Sequence, residues 1–320
     1  MTSLYVDRRG VRLELDAGAI VFYENDVRVG TVPINPITRV FLRGDVHLSA
    51  SLLGKLGEHD VGVVVLSGRQ CKPTLLMARP HNDAQRRVEQ VRRSFDSYFC
   101  MEFARDLIAD KLDMQMAWFD EVRQHDAYVR YEMTHALKQL MAARLSVPDV
   151  KSLAALRGVE GAAAHAYFDG LKALIPGSLK FFSRNRRPPR DPFNVLLSLT
   201  YTMVHAETAI ALFGAGLDPY VGFYHKLDFG RESLASDLME PLRPLADKFC
   251  QQLARKRILT EDHFSTTEAG CFMGKAGRKY YYEAYEQHSE VFRGAIQKQV
   301  EKTLALVMDR EVNFHGESDG

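Results

Sequence analysis

The chain has 320 residues, 46% hydrophobic and 26% charged, with 42 basic against 41 acidic residues and a net charge of +1. This composition fits an ordinary globular protein and excludes a highly charged or low-complexity disordered chain. The balanced total excludes no class of partner, since clustering decides, but apolar runs such as VGVVVLSG at 61–68 are too short to span a bilayer and no signal-peptide pattern opens the chain, so a cytoplasmic protein without membrane contact is expected.

In the first eighty residues, SLYVDR, VRLELD, AIVFYEN and VRVGTVPI are short, β-branched or aromatic, and separated by turn residues, which predicts strands. Leu4 and Val6, then Val11, Leu13 and Leu15, alternate with polar neighbours as half-buried antiparallel strands do. RVFLRG and VGVVVLSG add two more, and LSASLLGKLGEHD places Leu48, Leu52, Leu53 and Leu56 at helical spacing with Gly57 as its stop. A β-sandwich-like N-terminal domain over 1–80 is the natural assembly. At MARPHNDAQ the period changes from two to about 3.6 residues, and an all-α domain over 81–320 follows, making the fold class α+β. Val88, Val91, Phe95, Tyr98, Phe99, Phe103, Leu107, Ile108 and Leu112 predict one long amphipathic helix. Further helices are expected at 128–145, 158–173, 192–213, 234–256 and 276–308, with room for a short hairpin in HFSTTEAGCFMG and a mobile tail in NFHGESDG. Four scattered cysteines (71, 100, 250 and 271) form no CxxC pair and read as buried reduced thiols.

Three stretches carry candidate chemistry. In LRGVEGAAAHAYF at 156–168, Glu160 stands among glycines and alanines, a surface cleared either for tight helix packing or for a ligand. His165, about 140° around the helix from it, is not expected to share a ligand with it. In GFYHKLDFGRESLASDLMEPLRP at 222–244, His225 follows a glycine-rich turn, Ser233 is a candidate N-cap, and Asp237 and Glu240 share a helix face ahead of a kink expected at Pro241. Two carboxylates with an imidazole suit Mg²⁺ or Mn²⁺, while dipole complementarity and solvation explain the same acids without a metal. In LKFFSRNRRPPRDPFN at 179–194, Lys180, Arg184, Arg186, Arg187 and Arg190 lie in an extended proline-held loop suited to phosphate, or to local salt bridges; Phe181 and Phe182 stack on bases or anchor the loop. Arg86, Arg87, Arg92 and Arg93 read as a solvated helix face. No G-x-S-x-G elbow, HExxH pair or dinucleotide fingerprint occurs.

The order GVEGAAAHAYF, RNRRPPRDPFNVLLSLTY, GLDPYVGFYHKLDFGRESLASDLMEPLRP resembles the CRISPR-associated endonuclease/integrase family that inserts new spacers into CRISPR arrays, over essentially the whole chain. The resemblance implies an N-terminal β-sandwich that dimerises, an all-α catalytic domain, and a Mg²⁺ or Mn²⁺ ion held by Glu160, His225 and an acid at Asp237 or Glu240. Glu240 is preferred, with Asp237 orienting a ligand; His225 stays open between ligand and general base. Arg184, Arg186, Arg187, Arg190 and Lys226 would hold double-stranded DNA, with Asn194 and Tyr167 at the rim of the site or in structural roles. The implied reaction is attack of a DNA 3′-hydroxyl on a phosphodiester, with water giving nuclease activity. The implied partners are a second copy, in a homodimer, and a small ferredoxin-like adaptation protein. A non-catalytic nucleic-acid scaffold is the alternative; a small-molecule metallohydrolase leaves the arginine loop unexplained.

Overall fold

The computed structural model describes residues 2–67, 72–77, 81–185, 188–225 and 230–309. Strands β1 (Thr2–Asp7), β2 (Val11–Asp16), β3 (Ala19–Glu24), β4 (Val27–Pro33), β5 (Ile37–Arg43) and β6 (Val46–Leu48) precede helix α1 (Ala50–Glu58), β7 (Gly62–Ser67) and β8 (Lys72–Leu76). They form two four-stranded sheets, ordered β4–β3–β2–β6 and β1–β5–β7–β8. The expected antiparallel pairing holds for β2–β3–β4, but β1, β5 and β7 run parallel. Parallel neighbours need long connections; β2–β4 supply one, and β6 with α1 supplies the other.

The strand period of two explains the wholly apolar VGVVVLSG segment. Val40, Leu42 and Val63 face the core between the sheets, with Val11, Leu13, Ile20, Leu52 and Leu56. Phe41, Val64 and Leu66, on the other face, enter the helical core. A sheet covered on both sides has no polar face to offer. Strand β1 is also tied to the last helix by polar contacts: Ser3 N and Tyr5 Oη donate to the Glu286 carboxylate at 2.8 and 2.9 Å, and Arg278 pairs with Asp7.

The helical part comprises α2 (Gln85–Ser94), α3 (Ser97–His125), α4 (Arg130–Ser146), α5 (Leu153–Ala173), α6 (Pro192–Gly214) and α7 (Ser233–Arg255), then the hairpin β9 (Phe264–Thr267) and β10 (Gly270–Met273), and α8 (Lys275–Met308). The single long helix expected from Val88 onward is two. Asp96 breaks it by accepting hydrogen bonds from Tyr98 N and Phe99 N, which caps α3 and redirects the chain. The supposed apolar stripe of α2 is consequently exposed at Val88, Val91 and Phe95, while Gln90 and Arg93 are buried. Arg93 therefore does not belong to a solvated basic face. Helix α6 exceeds the apolar length expected from the sequence and matches a spanning helix by length and composition, but two-thirds of its apolar window is buried in the fold. Cys100, Cys250 and Cys271 are buried free thiols; Cys71 and the tail NFHGESDG lie outside the described residues.

Candidate active site

Helices α3, α5 and α7 and the turn at 222–225 bring the site together. On α5, a Cβ added to Gly158 or Gly161 would meet nothing within 4 Å, so the ground beside Glu160 is open. Farther along the same helix, a Cβ at Gly170 would stand 2.7 Å from the Phe119 ring and 2.9 Å from Ala136. Close helix packing explains the small residue there, not beside Glu160. His165 points into solvent near Asp169, away from the site, as its angular position requires.

The centre is built around an ammonium. Lys111 of α3, almost wholly buried, places Nζ 2.6 Å from Glu160 Oε1 and 2.7 Å from Glu240 Oε2. Glu240 Oε2 also accepts from Arg243 Nε at 3.0 Å, and Tyr224 Oη donates to Glu160 Oε2 at 2.5 Å. Burial works against the Glu240 carboxylate, yet Arg243 and Lys111, with His225 contributing less, hold its pKa well below the ordinary range. Burial likewise disfavours the Lys111 ammonium, but Glu240 and then Glu160 hold its pKa above the usual value. Burial and the neighbouring Glu160 charge push the Tyr224 phenol up, so it remains a donor.

Asp237 has a different task. Its Oδ2 accepts from Phe223 N at 2.7 Å and Tyr224 N at 3.0 Å; its Oδ1 accepts from His225 N at 2.8 Å and His225 Nδ1 at 2.7 Å. Four donors fill the four lone-pair sites of a carboxylate. Because that oxygen can only accept, His225 carries its proton on Nδ1, which leaves the Nε2 lone pair available. The turn fits this closely: a Cβ at Gly222 would lie 2.7 Å from the Ser233 carbonyl carbon and 2.8 Å from Asp237 Oδ2. Phe223 packs edge-on against Phe99 and Phe103 of α3. Gln90 fixes the preceding loop, donating to Asp218 O and Val221 O and accepting from Asp218 N.

Helix α7 departs from expectation twice. It begins at Ser233 rather than after it, and the first free N–H groups, of Leu234 and Ala235, are met by the Pro219 carbonyl at 2.9 and 3.3 Å instead of by a side-chain cap. It also runs unbroken through Pro241 and Pro244. Glu240 faces inward because α7 is a core helix in contact with α3, α6 and α8, and no kink is required.

Of the expected DNA-contacting residues, Arg186, Arg187 and Lys226 lie outside the described residues, and Arg190 is exposed. Three others are turned inward. Asn194 is fully buried at the start of α6, accepting from Arg184 Nη1 and Asn185 N and donating to Ser183 O and Asp191 Oδ2. It organises the loop from within. Arg184 is committed to Asn194 and stacks over the Tyr201 ring. Tyr167 is buried, stacked on Phe119, and donates to Asp247 Oδ2 at 2.9 Å. Neither Tyr167 nor Asn194 offers a surface to DNA here. Phe181 anchors the loop against Phe193, and Phe182 is exposed.

Asp247 also accepts from Tyr201 Oη, and burial, only partly offset by the two tyrosines, pushes its pKa up to about 6. An unfolded chain ionises this residue near 3.8, so raising the pH from about 4 to 6 removes stability, roughly 3 kcal/mol in all. His205, lowered to about 4 by burial and then by Arg243, gives the opposite slope up to about 6.5. The two oppose one another in the wild type. Urea unfolding of Asp247→Asn is therefore expected to show stability gained relative to wild type as pH rises from 4 to 6; a constant difference would refute the assignment.

The structure thus brings Glu160 and Glu240 to one cation position, with His225 on the adjoining turn. Among the described residues no three His, Cys, Asp or Glu side chains are grouped to hold a metal; the Lys111 ammonium bridges the two glutamates instead. The donor set, hard oxygens on either side of a cation plus an imidazole with Nε2 available, nevertheless suits Mg²⁺ or Mn²⁺. Lys111, Tyr224, Arg243 and Gln90 were not singled out in the sequence. The available signal was Lys111 itself, a charge flanked by Leu107, Ile108 and Leu112 on an apolar helix face.

The chain matches the family model for CRISPR associated protein Cas1 over residues 4–287. A relative named CRISPR-associated endonuclease Cas1 1, from Thermodesulfovibrio yellowstonii, is 35% identical over 305 residues, covering 93% of this chain and 95% of the relative. A Cas4/Cas1 fusion from Geobacter sulfurreducens is 31% identical over 305 residues, and the chain spans about half of its length (53%). Among solved structures, a CAS1 protein from Thermotoga maritima superposes with a TM-score of 0.84 at 22% identity, covering 99% of this chain and 100% of the other. A casposase bound to integration product superposes at 0.81 with 19% identity, covering 97% and 92%.

Proposed function

Since the chain belongs to the CRISPR-associated protein Cas1 family, we propose that it is a divalent-metal-dependent DNA endonuclease and integrase of CRISPR adaptation, joining spacer 3′-hydroxyl ends to a repeat phosphodiester. The observation that carries this reading is the meeting of Glu160 and Glu240, from α5 and α7, on one cation position beside His225. Glu160, Glu240 and the Nε2 of His225 would hold Mg²⁺ or Mn²⁺. The bound ion would act as a Lewis acid on the phosphodiester and stabilise the entering and leaving oxygens. Asp237, with its acceptor capacity filled, positions His225 and does not ligate. Tyr224 orients Glu160, and the bare backbone at Gly158 and Gly161 leaves room for a DNA strand to approach it.

The arginine loop supplies phosphate contacts that position the DNA rather than read its sequence. Arg190→Ala is expected to weaken binding of a labelled duplex similarly across sequences and to lower the log–log salt slope by about one. Arg184→Ala should instead reduce thermal stability, because Arg184 serves Asn194 and Tyr201. An unchanged salt slope in the Arg190 variant would remove that residue from the DNA path. The protein is proposed to work in the cytoplasm, on double-stranded DNA, as a homodimer with a small ferredoxin-like partner protein. One solved neighbour is a Cas6-RT-Cas1–Cas2 complex, which supports assembly with a further protein.

The test is integration of a 3′-hydroxyl DNA into a supercoiled plasmid carrying a repeat, with and without Mn²⁺. The rival, a non-catalytic nucleic-acid scaffold, draws support from the pairing of both glutamates with Lys111 and of Glu240 with Arg243. It predicts no metal-dependent cleavage and DNA affinity indifferent to Glu240→Ala.

A further inference from the structure

We propose that Lys111 is a resident counter-cation of the acidic centre, which holds Glu160 and Glu240 together when no divalent ion is bound, competes with that ion for the same oxygens, and moves to Gln115 when displaced. The inference rests on the metal reading above and goes beyond it by assigning the control of metal affinity to a residue that is not a ligand.

Three observations carry it. First, the ammonium lies within 2.7 Å of an oxygen from each glutamate, and the side chains of Lys111 and Glu240 are only 7% and 4% exposed. Mg²⁺ binds oxygens at about 2.0–2.1 Å. It cannot take these two oxygens while a second positive charge sits between them. Second, the ammonium is not needed to neutralise Glu240 alone, because Arg243 bonds the same Oε2. Removing Lys111 from the pair leaves Glu240 with a partner. Third, Gln115, one helical turn beyond Lys111 and therefore on the same face of α3, has a buried Oε1 without a hydrogen-bond partner among the described residues. A buried amide oxygen with nothing to accept is costly, and a lysine four residues earlier lies beside it on the helix face. The two side chains make a pair of berths for one ammonium.

Mn²⁺ binding to the EDTA-stripped full-length protein, measured by calorimetry and by the EPR signal of free Mn²⁺, tests this apart from activity. Wild type and Glu160→Gln come first: if wild type does not bind Mn²⁺, or Glu160→Gln binds it equally well, the metal reading itself fails. Given binding that depends on Glu160, Lys111→Met is expected to tighten Mn²⁺ affinity about tenfold or more and to melt lower than wild type in EDTA. Lys111→Gln, which keeps hydrogen-bond donors without the charge, should tighten it in the same direction and guards against a misfolded methionine variant. Gln115→Leu should weaken Mn²⁺ binding several-fold. In the wild type, acylation of Lys111 followed by mass spectrometry should quicken on Mn²⁺ saturation. Unchanged or weaker affinity in folded Lys111 variants, or an acylation rate indifferent to Mn²⁺, overturns the competition; wild-type affinity in Gln115→Leu overturns the second berth.

Discussion

Glu160→Gln is expected to lower strand joining by roughly 10²–10³-fold or more while the protein melts close to wild type. The amide still accepts from Tyr224, and Lys111 keeps Glu240 as its ion-pair partner. Glu240→Gln should lose activity by a similar factor but at a cost in stability. Buried Lys111 is left with Glu160 alone, and part-exposed Arg243 then faces a neutral amide. Breaking a buried pair in this way costs about 3–5 kcal/mol. Gel analysis of plasmid integration and thermal melts of the same preparations separate the two cases. Full activity in either variant would sink the proposed centre, and equal melting of both would show that Glu240 is not the electrostatic keystone described here.

Asp237→Ala is expected to be among the most destabilising single changes in the chain. It strips the acceptor from three buried or half-buried backbone N–H groups and from the imidazole in one step. Each orphaned donor costs about 1–3 kcal/mol, partly recovered by local relaxation, so chemical denaturation should show a loss of about 3–5 kcal/mol. Asp237→Asn offers no escape, since its amide nitrogen would confront N–H donors. Activity should fall with His225→Ala in both variants. A stable Asp237→Ala protein that lost only metal affinity would reverse the assignment and make Asp237 a ligand.

Much of the fold was legible because short-range periodicity and long-range burial agree over most of the chain. Strand β2 follows the expected alternation, burying Val11 and Leu13, and α4, α6, α7 and α8 begin and end within two residues of where their patterns do. Helix α5 begins at Leu153, well before the expected start, because Ser152 caps it by accepting from Ala155 N and Gly158 does not interrupt it. Helix α2 failed for a related reason. Its apolar residues pointed to burial, but the Asp96 cap turned α3 away and left Gln90 and Arg93 facing inward to staple loops. The candidate site was legible only in its acids and His225. Tyr224 carries no local mark of function and Lys111 only its place on an apolar helix face, and Glu160, which both contact, is 49 residues from Lys111 and 64 from Tyr224 in sequence. Tyr167 and Asn194 show the converse: they sit in recognisable motifs, and burial assigns them to Asp247 and to the interior of the arginine loop.

Tyr201 lies with the guanidinium of Arg184 5.4 Å from its ring centroid and that of Arg243 4.7 Å away. Arg184 belongs to the loop that would touch DNA, and Arg243 grips Glu240. One aromatic ring therefore touches both the loop proposed to hold DNA and the arginine that bonds Glu240. The loop and the acidic centre are thus two ring contacts apart. A substitution of Tyr201 would therefore disturb the packing of both arginines at once.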